Sequence, residues 1–340
     1  LEIVVVDDGS TDRTAEIVRS LAVPPGKRLR LLHKANGGLS SARNFGIAAA
    51  AGRWIGLVDS DDWARPEMYA RLLDCAERHD ADVAICSGCT IDHATGAAAP
   101  FRDAALWGQL MQAPEQLFDP AQTHELFLLD TQAGRRLYRR AFLDSVGFRF
   151  AEGFLFEDVL ASYQLLFRTH KVVLVEGPYY CYREGHPGRI TARKDAKILQ
   201  ILEIMEGAAA ELAAHDAPAD LWAGFMRYQN WSLLWLCNQV EIAHRRDFAV
   251  RACRLARHFP RGGLRAFRRK FADEARSQEG VFLQLLGWPE AYRAYADYEG
   301  MKTFARFLYA RAWAWRLLCA KAPRVSKARM PEALRRALAV

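Results

Sequence analysis

The first ninety residues alternate apolar runs with amphipathic stretches. Leu1–Val6 is a β-branched run, and Asp7-Asp8-Gly9-Ser10 follows it as a turn. Ser10 or Thr11 can cap a helix reaching about Leu21. Leu29–His33 predicts a second strand, and Gly37-Gly38 breaks the chain. Ser40–Ala51 has helical spacing, Arg53–Val58 is a third strand ending at Asp59, and Pro66 opens a helix to about His79. Asp82–Cys86 is a fourth strand. This order predicts an α/β fold with a mostly parallel, doubly wound sheet. Beyond it, 90–122 carries no clear period. Helices are predicted over Arg140–Ser145 and Glu157–Arg168, and a strand pair, Val172–Val175 with Tyr179–Tyr182, around Gly177-Pro178. After Thr191 the pattern turns helical, which sets a boundary near 195 and two regions, 1–195 and 196–340.

Composition sharpens this division. The chain has 340 residues, half of them apolar, enough for a sizeable core. Its net charge of +7 is unevenly spread: from Ile242 onward there are 22 Lys and Arg against 8 Asp and Glu. The preceding part holds 25 basic and 32 acidic residues. An acidic front suits metal and carboxylate chemistry, and a basic tail suits an anionic surface. Seven cysteines, mostly among apolar neighbours, read as reduced thiols in a cytoplasm. Cys86 and Cys89 form a C-x-x-C without further ligands in view, so buried thiols compete with a zinc or redox role. No apolar run reaches the length of a membrane span. The abrupt opening, Leu1-Glu-Ile-Val-Val-Val6, reads as the interior of a fold.

Ligands of doubly wound sheets bind beyond the carboxyl ends of the strands. Asp7-Asp8 and Asp59-Ser60-Asp61 both fall at predicted strand ends, and so on one rim. Gathered carboxylates repel, and a hard cation relieves them; Mg²⁺ and Mn²⁺ bind one or two carboxylates together with substrate phosphates. The competing reading makes Asp61 or Asp62 a helix cap and Asp7-Asp8 a plain turn.

Several motifs in order carry a resemblance. Val5-Val6-Asp7-Asp8-Gly9-Ser10-Thr11-Asp12, Asn36-Gly37-Gly38-Leu39-Ser40-Ser41-Ala42-Arg43-Asn44, Asp59-Ser60-Asp61-Asp62 and Gly153-Phe154-Leu155-Phe156-Glu157-Asp158 closely resemble the family 2 glycosyltransferases. Tyr182-Arg183 with Pro187-Gly188-Arg189-Ile190-Thr191 resembles a segment of bacterial polysaccharide members. The resemblance covers about 1–195 and implies a GT-A domain followed by a helical one. One departure is the family's earlier strand, roughly V-S-V-I-I-P-x-Y-N, which has no counterpart here.

The resemblance implies an inverting, metal-dependent transfer from a nucleotide-sugar, a UDP-sugar, to a saccharide or lipid-linked acceptor in cell-surface glycan synthesis. Asp7 or Asp8 would hold the uracil or ribose, and Arg43 would reach the ribose or diphosphate, against a purely structural arginine. Asp59 would touch the ribose, and Asp61 the Mn²⁺ or Mg²⁺. Asp158 would be the general base, with Glu157 beside it and helix capping as the competing reading. Arg183, His186 and Arg189 form a cationic loop able to close over a diphosphate. Two other readings are a catalytically inactive scaffold of the same fold and a nucleotidyltransferase, which would want a Gly-rich phosphate loop near the first strand.

The tail places Trp313 and Trp315 beside Arg306, Arg311, Arg316 and Lys321. That mixture suits an anionic membrane surface at the inner face of the cell membrane, against a helical bundle whose basic face is merely solvated. No nucleic-acid module is recognisable.

Overall fold

The computed structural model describes residues 1–185 and 194–274, with short pieces at 280–281, 283–285, 287, 289 and 292–293. The strands β1 (Glu2–Asp7) and β2 (Arg28–His33) pair in parallel, from Glu2 opposite Arg28 to Asp7 opposite His33. The helix α1 (Thr14–Ser20) makes the crossover. It starts later than Ser10 or Thr11 and has no side-chain cap. The reason is local: Asp7 accepts the Ser10 N–H at 2.8 Å and Asp12 accepts the Thr14 N–H at 2.9 Å, which folds 7–14 into side-chain-held turns. Gly9 turns the chain at φ +80°, and a Cβ there would lie 3.0 Å from the Asn36 nitrogen.

The larger sheet contains β3 (Trp54–Gly56), β4 (Trp63–Ala64), β5 (Val83–Asp92), β6 (Ala98–Pro100), β7 (Glu115–Phe118), β8 (Arg136–Arg139) and β9 (Val172–Glu184). Its order is β3-β8-β5-β9-β4, with β6 on β5 and β7 on β9. The α/β class stands, but within this sheet only β5 and β9 run parallel, and the other pairings are antiparallel. Connection length explains the mixture. β5 and β6 are joined by a tight turn in which Asp92 accepts the Thr95 N–H at 2.8 Å, and so short a link permits only antiparallel pairing. β5 and β9 are separated by several elements, including α5 (Arg140–Ser145) and α6 (Glu157–Leu166), long enough for a crossover.

The strand pair expected around Gly177-Pro178 is instead one continuous strand, β9. The register against β5 slips at Cys86–Gly88, where Ser87 faces Pro178 and Gly88 faces Tyr180. Gly177 sits at φ +137°, and proline brings no N–H, so the two residues make a bulge rather than a turn. Val83–Cys86 and Val172–Val175 are buried along their whole length, as central strands covered on both faces should be. Cys86 and Cys89 lie in β5 and are both buried; the Cys86 thiol donates to the Arg135 carbonyl, and Cys89 Sγ lies 3.6 Å from Cys181 Sγ.

The helices α2 (Leu39–Ala49), α3 (Met68–Arg78) and α4 (Ala104–Leu110) accompany the sheets. The chain then turns helical: α7 (Gln200–Ala214), α8 (Ala219–Gln239), α9 (Ile242–Leu255) and α10 (Arg261–Lys270). Small residues let α7 and α8 approach the α/β part closely. A Cβ at Gly207 would meet the Leu160 side chain at 3.2 Å, and one at Gly224 would meet Leu128 at 2.6 Å. One hydrophobic cluster therefore includes Ile55, Leu174 and Tyr163 with Leu202, Phe225 and Phe267. Burying each such side chain contributes about 1.5–3 kcal/mol, so the two regions share a stabilising core. Among the described residues no helix is long and apolar enough to cross a membrane.

Candidate active site

The start of α2 connects the two acidic motifs. Asp8 accepts the Gly37 and Gly38 N–H groups at 3.0 and 2.7 Å and the Lys34 ammonium at 2.6 Å. Burial opposes its charge, but Lys34 and the two amides outweigh that and hold its pKa below the usual range. Asp7 meets the His33 ring at 2.9 Å as well as the Ser10 N–H. Both carboxylates thus brace the strand-end loops, whatever else they bind. Gly38 precedes α2 at φ +84°, which glycine adopts without strain.

One turn into α2, Arg43 is buried and forks between two acids. Its Nη2 donates to Asp59 Oδ1 at 2.7 Å and its Nη1 to Glu157 Oε1 at 2.6 Å. Its ring-facing side stacks on Phe150, 5.2 Å from the centroid, and its Nε has no hydrogen-bond partner. Glu157 is only 4% exposed. Burial pushes its carboxyl up to about 7, the neighbouring Asp158 adds to this, and Arg43 opposes it. Burial raises Asp158 as well, with Asp130 and Asp59 reinforcing the shift against Arg43 and Arg136. Neither acid caps α6: the N-cap is Phe156, at φ +65°, with no side-chain cap bond. Among the described residues no hydrogen bond or ion pair engages the Asp158 carboxylate.

The Asp59-Ser60-Asp61-Asp62 loop is anchored at its far end. Asp62 accepts the Tyr180 hydroxyl at 2.7 Å, the Gln132 amide at 3.0 Å and the Arg183 N–H at 2.9 Å. Burial lifts it to about 6 despite those donors, with Asp59 and Asp61 adding repulsion. The Arg183 side chain reaches the same loop, its Nε donating to the Asp61 carbonyl at 2.8 Å. Asp62 is therefore a clamp between loop and sheet and caps no helix; the next one, α3, begins at Met68. The Asp61 carboxylate makes no hydrogen bond or ion pair among the described residues, which leaves it available to a ligand. Among the described residues no three His, Cys, Asp or Glu gather as a metal site. A pair of carboxylates completed by substrate phosphates needs no third protein ligand, so Asp61 with Asp59 fits Mg²⁺ or Mn²⁺.

The structure thus brings Arg43, Asp59, Asp61, Glu157 and Asp158 together and ties Arg183 to the same loop. Asp7 and Asp8 lie one loop away, at the head of α2. Arg189, His186 and the tail's Trp313 and Trp315 lie outside the described residues. Tyr180 and Gln132 were not singled out from the sequence. Tyr180 sits in an apolar strand and Gln132 in a stretch without period, and neither carries a local signal.

The chain is similar to several known proteins. Residues 1–147 match the family model "Glycosyl transferase family 2". The chain is 33% identical over 192 residues to the uncharacterized glycosyltransferase EpsJ of Bacillus subtilis, across 56% of this chain and 54% of that protein. It is 32% identical over 198 residues to the succinoglycan biosynthesis protein ExoO of Rhizobium meliloti, across 56% of this chain and 55% of the other. It spans about half the length of these relatives. In fold it is similar to S. aureus TarS 1-349, solved in complex with UDP-GlcNAc, with a TM-score of 0.69 at 17% identity, covering 87% of this chain and 81% of that one. Residues 1–147, which carry the acidic motifs at Asp7-Asp8 and Asp59-Ser60-Asp61-Asp62, are therefore similar to glycosyl transferase family 2.

Proposed function

We propose that the protein is an inverting glycosyltransferase of polysaccharide biosynthesis, moving a sugar from a UDP-sugar to a saccharide or lipid-linked acceptor. The observation that carries the reading is the division of labour among its acids. Arg43 holds Asp59 and Glu157, the Tyr180–Gln132–Arg183 network holds Asp62, and Asp61 and Asp158 remain uncommitted. A structural cluster would pair all of them.

In this reading the donor lies along the Asp59–Asp61 rim, with its nucleoside toward Asp7 and Asp8. Asp158 accepts the proton of an acceptor hydroxyl as that oxygen attacks the anomeric carbon opposite the diphosphate. The bond from that carbon to the diphosphate breaks in the same displacement, which inverts the configuration. A carboxyl with a raised pKa is a better base near neutral pH than an ordinary aspartate. Asp59 and Asp61 would hold Mg²⁺ or Mn²⁺, which when bound stabilises negative charge on the departing diphosphate. Arg43 keeps Asp59 and Glu157 in place, and Asp62 keeps the loop against β9.

The basic helical region would dock on an anionic leaflet at the inner face of the membrane. Arg261, Arg265, Arg268, Arg269 and Lys270 are all exposed on α10. The test of the catalytic reading is a panel of nucleotide-sugars and acceptor glycosides, with product anomers read by NMR. Inverted product from a UDP-sugar is expected. A retained anomer refutes the single displacement, and failure to turn over any donor refutes the enzyme.

A further inference from the structure

Two buried cysteines stand opposite each other on neighbouring strands. Cys89 of β5 is the register partner of Cys181 of β9, and their Sγ atoms are 3.6 Å apart. Paired residues of adjacent strands project from the same face, and the strands lie about 4.8 Å apart. That spacing falls inside the Cα separation of roughly 4.4–6.8 Å that a disulfide tolerates. The row extends outward on both sides, to Pro100 of β6 opposite Cys89 and to Trp63 of β4 opposite Cys181. Pro100 is exposed and Trp63 is 42% exposed, whereas Cys89 and Cys181 are 6% and 3% exposed. The sulfurs are sheltered, yet each has an exposed residue as its outer neighbour. Cys86, on the same strand, differs, because its thiol donates to the Arg135 carbonyl.

Cys181 lies within the stretch of β9 that holds the acidic loop. Tyr180, just before it, donates its hydroxyl to Asp62 at 2.7 Å. Arg183, just beyond it, donates its N–H to Asp62 at 2.9 Å and its Nε to the Asp61 carbonyl at 2.8 Å. Trp63, opposite Cys181, follows Asp62 directly in the chain. A disulfide bond is about 2.05 Å long, so closing it brings the two sulfurs about 1.5 Å nearer. Side-chain rotation takes up part of that motion, and the rest draws β9 against β5 at this row. Hydrogen bonds already near their ideal length weaken when a strand shifts by even part of that distance. We propose that Cys89 and Cys181 form a dithiol–disulfide switch whose closure slackens the hold on the Asp59–Asp62 loop.

Hydrogen peroxide, small enough for a site this closed, supplies the oxidant. The Cys89 thiolate attacks one peroxide oxygen and the O–O bond breaks, which gives a sulfenic acid, while the departing hydroxide takes the thiol proton and leaves as water. The Cys181 sulfur then attacks Cys89 Sγ. The S–S bond forms, the S–O bond breaks, and the departing hydroxide takes the Cys181 proton as a second water. The two sulfurs give up two electrons in all, and one peroxide becomes two waters. Burial pushes the Cys181 thiol up to about 11, with Cys89 adding to this and Arg65 opposing it, so Cys181 rests as a thiol at neutral pH. The bond-forming chemistry stands by itself, and its effect on donor binding rests on the reading of the Asp59–Asp62 loop as part of the donor site.

The full chain, first reduced, is treated with hydrogen peroxide and then studied by mass spectrometry, by calorimetry with UDP and by amide hydrogen exchange. The treated protein should lose two hydrogens in intact mass and yield a peptide in which Cys89 is bonded to Cys181. Its UDP affinity should fall by about tenfold, and exchange at residues 59–62 should quicken. Dithiothreitol should reverse all of these, which separates them from methionine oxidation, since that needs a reductase for repair. Cys89→Ala and Cys181→Ser, either of which serves if the other misfolds, should bind UDP like the untreated wild type and lose none of that affinity to peroxide. Sulfurs that stay reduced or gain only oxygen, a bond between other cysteines, or a complete Cys89–Cys181 bond that leaves UDP affinity and exchange at 59–62 unchanged would each overturn the switch. If the reduced protein binds no UDP, the donor reading fails, and the exchange at 59–62 alone decides whether the switch stands.

Discussion

Replacing Arg43 by methionine removes a cation that touches both Asp59 and Glu157, with little change in apolar volume. Two losses follow. Asp59 is 22% exposed, so water replaces part of its lost bond, and that share is at most about 1 kcal/mol. Glu157 has a side chain only 5% exposed, and removing its partner leaves a buried, uncompensated charge, worth about 3–5 kcal/mol. The protein has an escape, because Glu157 can take up a proton, and this makes the loss depend on pH. Its carboxyl is already lifted to about 7 from 4.5. A raised carboxyl pKa means that the folded state binds more protons than the unfolded one between those values. Stability from this group therefore falls as pH rises from about 4.5 to about 7. In the variant that pKa rises further, and the decline continues to higher pH at up to about 1.4 kcal/mol per unit. The expected outcome is a small loss at pH 5.5, where Glu157 is protonated in both proteins, growing at pH 8 by up to about 1.4 kcal/mol, the limit set by the one pH unit between about 7 and 8. Urea unfolding of both proteins at the two pH values measures it, and adding Glu157→Gln to the variant should recover most of the loss at pH 8. Equal losses at both pH values, or no recovery in the double variant, would refute the view that Arg43 neutralises a buried Glu157.

Three further outcomes are expected. Asp158→Asn should lower kcat by about a hundredfold or more with UDP affinity retained; if Glu157→Gln is the damaging change and Asp158→Asn is mild, the base is assigned one residue off. Asp61→Ala should abolish the response of transfer to added Mn²⁺ or Mg²⁺ while the thermal midpoint holds, and full wild-type activity in excess chelator would contradict a metal there. The full chain should co-sediment with anionic vesicles at low salt and release at high salt, each engaged basic residue contributing about 1 kcal/mol; a protein that stays in the supernatant has only a solvated basic face.

Some of this protein was legible without a structure, because it is encoded over short distances. The β-branched run before Asp7 and the glycines before α2 report on neighbouring residues alone. Period and turn chemistry sense nothing else, so they place acids at strand ends and give the α/β order. They fail where a residue's fate depends on a partner far along the chain. Gly177-Pro178 looks like a turn locally, yet pairing with β5 draws it into a bulge of one continuous strand. Arg43 and Glu157 are 114 positions apart, and Tyr180 and Asp62 are 118 apart. No local pattern distinguishes an arginine bound for solvent from one bound for a buried carboxylate. Desolvation makes the difference, and it exists only once α2, α6 and β9 have packed. Local pattern therefore placed the acids in the loops that follow β1 and β3, although those strands lie in two different sheets. Packing alone decided which of them are neutralised by partners far along the chain and which make no such pairing among the described residues.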